Sequence, residues 1–127
     1  DLITTISGGR VLHELSYMIR LADMALDELN QEPDRLPEAL VVEVGELTGV
    51  EAYYLMQYYP KVVQNTRLSG SKLIVCPVEA EALCEDCGQH YHPEKTNDYR
   101  CPDCGSLRAR FVHGRELSVR EIRLHDL

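Results

Sequence analysis

Four cysteines stand in two Cys-x-x-Cys pairs, Cys84-Glu85-Asp86-Cys87 and Cys101-Pro102-Asp103-Cys104, with thirteen residues between the pairs and a glycine, Gly88 or Gly105, directly after each. Thiolates at this spacing suit a tetrahedral zinc ion. Each pair gives two sulfurs from one tight turn, and the segment between them carries the second turn round to close the tetrahedron. Glycine after each pair supplies the left-handed backbone that such a turn uses. Four sulfurs leave no coordination position for water, so the zinc expected on Cys84, Cys87, Cys101 and Cys104 is structural and not catalytic. Any activity has to lie elsewhere in the chain.

A second set of donors is His13-Glu14, an imidazole beside a carboxylate at the start of a helical pattern. Such a pair is commonly capping or surface polarity, yet nitrogen and oxygen donors are what nickel(II) and copper(II) accept in tetragonal geometry. A metalloprotease is excluded, because His-Glu-x-x-His would need histidine where Tyr17 stands. His92-Pro93-Glu94 with Cys101-Pro102-Asp103-Cys104 faintly resembles a zinc deaminase, but those need Pro-Cys-x-x-Cys and an open metal. His90 and His92 read as part of an exposed hairpin, with a secondary capacity to replace a displaced thiolate. Cys76, within Leu73-Ile74-Val75-Cys76-Pro77-Val78, reads as a small buried hydrophobe.

The elements that must position these groups follow from periodicity. From His13, apolar residues Leu15, Met18, Ile19, Ala22, Ala25, Leu26 and Leu29 recur at helical spacing, ending near Asn30 ahead of Pro33. Residues 39–47 are rich in β-branched side chains and read as a buried strand. A second helix after Thr48-Gly49 carries Tyr53, Tyr54, Leu55, Tyr58, Tyr59, Val62 and Val63, with its tyrosines as core residues whose hydroxyls stay wet, and Pro60 bending it. Residues 72–78 form a second strand, and residues 116–124 alternate apolar and polar as a half-buried third. The cysteine segment interrupts the last two strands, is acidic, and has little of its own to bury, so it depends on metal to fold. The expected class is α+β: two helices on a roughly three-stranded sheet, with an inserted zinc-ribbon-like unit carrying the knuckles.

With 44% hydrophobic and 27% charged residues in 127, the chain is an ordinary soluble protein with one core and a small appendage. It has neither a membrane-spanning apolar run nor a signal-peptide start, so the cytoplasm is the expected compartment. Thirteen basic against twenty-one acidic residues give a net charge of −8, poor electrostatics for gripping phosphates. Arg108, Arg110, Arg115, Arg120 and Arg123 form a local exception, read as a solvated strand face.

Leu12-His13-Glu14-Leu15-Ser16, residues 42–50 (Val-Glu-Val-Gly-Glu-Leu-Thr-Gly-Val), the two knuckles and Gly114-Arg115-Glu116-Leu117 together resemble the HypA/HybF family of nickel metallochaperones, in that family's order and spacing from Leu12 onward. The resemblance implies a non-enzymatic accessory protein that carries nickel(II) as transient cargo for maturation of [NiFe]-hydrogenase. Its partners would be a nickel-handling GTPase, the hydrogenase large-subunit precursor and, in some organisms, urease maturation proteins. It implies a structural zinc domain at residues 79–113, and a nickel-binding α/β domain of residues 12–78 plus 114–127. Residues 1–11 would be an extension or vector-derived remnant. His13 and Glu14 match the family's nickel site, and Glu51 falls where an acidic residue of some members takes part. That family begins with Met, whereas Leu12 has an amide in place of a free amine, which implies weaker and pH-dependent nickel binding. The alternative from another class is a zinc-ribbon module that binds nucleic acid or protein through the C-terminal arginines.

Overall fold

In the computed structural model, residues 10–125 are described, with side chains from His13 onward. Of the expected extension, residues 1–9 lie outside the described residues, while Arg10 and Val11 already belong to the first helix, α1 (Arg10–Leu29). The helix therefore starts three residues before His13, because nothing after Gly9 breaks it. Its buried face is Tyr17, Met18, Leu21, Ala22, Ala25 and Leu29, whereas Ile19, expected on that face, is 43% exposed. The end of α1 is held from outside. Arg67 donates to the carbonyls of Leu29, Glu32 and Arg35 at 2.7, 2.8 and 2.7 Å, placing a cation where the helix dipole is negative.

The chain continues as β1 (Pro37–Gly45), a single 3-10 turn (Glu46–Thr48), α2 (Ala52–Val62) and β2 (Lys72–Val78). After β3 (Glu81–Cys84), β4 (His90–Tyr91) and β5 (Ala109–His113) it returns as β6 (Leu117–Leu124). β1 is the middle strand of a sheet ordered β2-β1-β6, parallel to β2 and antiparallel to β6. Leu40, Val42 and Val44 of β1 join Met18, Leu21, Leu55, Tyr59, Val63 and Leu117 in the main core. A β1-α2-β2 crossover and the pairing of β6 beside β1 thus make the two-helix, three-stranded body that the periodicity implied.

The tyrosines of α2 divide. Tyr59 is buried and shares a hydrogen bond with Ser71 Oγ at 2.6 Å, Tyr54 and Tyr58 are half-buried, and Tyr53 is 63% exposed. Pro60 sits in the last turn of α2, where the bond it cannot donate costs little continuity. Cys76 is half-buried and not enclosed, because β2 is an edge strand of the sheet. β3, β4 and β5 form a second antiparallel sheet, ordered β4-β3-β5, around a small cluster of Ala82, Cys84, Tyr91 and Cys101. These strands are short and carry exposed residues such as Phe111 and Val112, so no alternation marked them in the sequence.

Candidate metal centres

The second sheet places the cysteines. Cys84 ends β3, Cys87 lies in the turn that follows, and Cys101 and Cys104 flank the turn leading towards β5. Each turn closes on its glycine: Gly88 N–H donates to Cys84 O at 2.9 Å and Gly105 N–H to Cys101 O at 2.8 Å, with φ of +79° and +75°. The sulfurs of Cys84 and Cys104 are 3.5 Å apart and those of Cys87 and Cys101 3.6 Å apart, and all four lie within 4.8 Å of one another. A tetrahedral zinc with bonds of ~2.3 Å requires sulfur separations of about 3.8 Å, so the tetrad fits that ion. Asp86 accepts from Ser106 Oγ and, at 2.8 Å, from Arg108 Nη1, which ties one knuckle to the other. Backbone N–H groups of Cys87 and then Asp86 point at Cys84 and lower its thiol to about 7, whereas Cys87 is pushed up to about 12 and Cys104 is also raised.

At the front of α1, His13 is half-buried and its ring centre lies 5.9 Å from that of Tyr17. Glu14 is fully buried. Its Oε2 accepts from Glu51 N–H at 2.8 Å, and its Oε1 has no hydrogen-bond partner among the described residues. Glu51 is the residue that precedes α2, so the carboxylate of Glu14 sits at the positive end of that helix. Burial and then the nearby Glu14 charge push the Tyr17 phenol up. The fold therefore brings the backbone of Glu51 to Glu14, thirty-seven residues earlier in the chain.

A third cluster lies where the second sheet joins the body, and sequence reasoning did not find it. Glu46 Oε1 accepts from Ala80 N–H and from His92 Nε2, both at 2.8 Å, while His92 Nδ1 meets Glu94 Oε2 at 2.8 Å. The Ala80 amide and then His92 hold the Glu46 carboxyl below its usual range, and Glu46 and then Glu94 push His92 up. Backbones cross closely beside it. Leu47 N–H donates to Gly114 O at 2.7 Å, and a Cβ on Gly45 would lie 2.4 Å from the Gly114 carbonyl carbon. Only the glycine residues themselves gave a signal for this close approach. His90 is indeed exposed, and its Nδ1 lies 2.5 Å from Glu81 Oε2.

A sequence model described as hydrogenase/urease nickel incorporation, metallochaperone, HypA matches residues 12–124. The chain belongs to the HypA family. It is 33% identical over 113 residues to the hydrogenase maturation factor HypA of Chlorobium phaeobacteroides, covering 89% of this chain and 99% of that protein. It is 34% identical over 114 residues to the HypA of Methanocella arvoryzae, covering 89% and 98%. The solution structure of the Ni metallochaperone HypA from Helicobacter pylori superposes with a TM-score of 0.67 at 17% identity, covering 87% of this chain and 96% of that one, which shows a shared fold. The blocks that carry the HypA resemblance meet in space. Glu14 of the first contacts Glu51 just beyond the second, and Gly45 and Leu47 of the second bond to Glu116 and Gly114 of the fourth. The HypA family is thus one of nickel-incorporation metallochaperones, and this member has a sulfur tetrad able to hold a metal.

Proposed function

We propose that this chain holds a permanent zinc ion on Cys84, Cys87, Cys101 and Cys104 and carries nickel(II) as cargo at His13 and Glu14, with Glu51 beside them. The observation that carries the reading is Oε1 of the buried Glu14, unpartnered among the described residues and next in sequence to the His13 imidazole. A buried carboxylate oxygen without a donor is costly, and a cation reached by the chain's front turn would satisfy it. Leu12 and His13 lie in the first turn of α1, whose amides have no intrahelical acceptors. Sulfur in one lobe and nitrogen with oxygen in the other separate a retained metal from an exchangeable one by ligand softness. In this reading residues 79–113 form the zinc domain, residues 12–78 with 114–127 the nickel-binding domain, and residues 1–11 an extension. No bond of a substrate is made or broken, and the work is done in the cytoplasm, where nickel passes to a GTPase, a hydrogenase large-subunit precursor or urease maturation proteins.

The test is metal analysis after nickel loading and desalting, with the parent compared to His13→Ala. The expected result is loss of the retained nickel with one zinc per chain unchanged; nickel retained in full by His13→Ala refutes the cargo site. The nucleic-acid alternative is disfavoured by the arginines themselves. Arg108 pairs with Asp86, Arg123 with Glu121, Arg120 lies 4.0 Å from Glu43, and Arg115 stacks over Phe111.

A further inference from the structure

Three of the chain's five histidines, His90, His92 and His113, are gathered on the second sheet and its junction with the body. His92 is committed to Glu46 and Glu94. The other two flank a single carboxylate. Glu81 opens β3, the middle strand; its register partner across β5 is His113, and His90 on β4 pairs with Leu83, two residues along β3. Residues two apart on a strand share a face, so one carboxylate has an imidazole on either side. Oε2 lies 2.5 Å from His90 Nδ1, and Oε1 lies 3.9 Å from His113 Nε2.

The second distance is too long for a hydrogen bond and suits a bridge. A transition cation with bonds of ~2.1 Å to nitrogen and oxygen spans about 3 Å when its two ligands are adjacent and about 4.2 Å when they are opposite. The three donors do not yet lie within 4.8 Å of one another. The His90 ring, like that of His113 57% exposed at the side chain, therefore has to turn from its present bond to share an ion, with water filling the remaining positions. Two imidazoles and a carboxylate form a borderline donor set that selects nickel, zinc or copper over magnesium or calcium. The chain's net charge of −8 favours a cation in general.

We propose that His90, Glu81 and His113 form a second, weaker site for a divalent transition cation, separate from the four thiolates and from the front of α1. The donors come from three neighbouring strands, so the site exists only when the zinc lobe is folded. It stands on this geometry and holds whether or not nickel is the cargo at His13.

The experiment is an equilibrium titration of the zinc-loaded full chain with nickel chloride in a non-chelating buffer, followed calorimetrically, with zinc content measured in parallel. In a His13→Ala background one nickel per chain is expected to bind in the micromolar range. Adding Glu81→Gln or His113→Asn should weaken that binding tenfold or more, and His125→Ala, an exposed histidine elsewhere, should leave it unchanged. Zinc should stay at one per chain throughout. Absence of nickel binding in His13→Ala, or binding that Glu81→Gln and His113→Asn leave intact, overturns the proposal. Zinc loss in both variants overturns it too, by placing the trio in the support of the sulfur tetrad. If His13→Ala retains nickel through desalting, the cargo reading fails while the Glu81→Gln comparison still decides this one.

Discussion

Glu14 combines two demands on one carboxylate. Oε2 anchors the Glu51 amide, and Oε1 has no hydrogen-bond partner among the described residues. Glu14→Gln keeps an oxygen for the Glu51 N–H and removes the charge. The urea midpoint should then correspond to a stability within about 1 kcal/mol of the parent, while nickel affinity falls at least tenfold by calorimetry. Glu14→Ala also removes the acceptor and leaves a void, which should cost on the order of 3 kcal/mol. Gly114 is the opposite case, a position where space and not charge decides. Its φ is +97° and an added Cβ would lie 2.5 Å from the Ala80 Cα. Left-handed strain together with overpacking puts the expected cost of Gly114→Ala at about 3 kcal/mol, read from denaturant unfolding.

Among the elements, the two helices were legible in the sequence because their apolar residues recur at 3 to 4 spacing over long stretches. The face of α1 was nevertheless displaced, since Tyr17 and Leu21 go in and Ile19 stays out. Periodicity places a stripe, and the angle at which the helix meets the sheet selects its centre. The end of α1 depends on Arg67, from a loop thirty-eight residues beyond Leu29, which no local capping pattern announces. Arg67→Ala strips three carbonyls of their charged donor. It should cost about 2 kcal/mol and speed hydrogen exchange in the segment from the end of α1 to β1, with α2 unaffected.

At the scale of the whole molecule, the body has a core of its own and the second lobe has almost none. Met18, Leu21, Leu40, Leu55 and Leu117 are among the residues packed in the first, whereas the second buries little beyond Ala82, Tyr91 and two of its cysteines. Chelation of the metal, or acid strong enough to protonate the thiolates, should therefore unfold the lobe of β3, β4 and β5 and leave the β2-β1-β6 sheet intact. Amide spectra before and after a chelator check this: simultaneous collapse of both sets of signals would mean that the lobes do not separate energetically. Glu46, bonded to Ala80 and His92 across the junction, is expected to limit how far the lobe swings. Glu46→Ala should loosen it, increasing proteolysis around residues 79–80 without changing zinc content.

The order of helices and strands of the body, the metal tetrad and the family were all set by local information: periodicity, Cys-x-x-Cys spacing and four short blocks. Such features bind neighbours in sequence, so they can be read without knowing the fold. The Glu14 to Glu51 contact, the Glu46 clamp and the His90-Glu81-His113 trio were decided by tertiary structure. Each joins residues from separate elements through side chains whose types are ordinary by themselves, and only the packing of strands and helices gives them a common place.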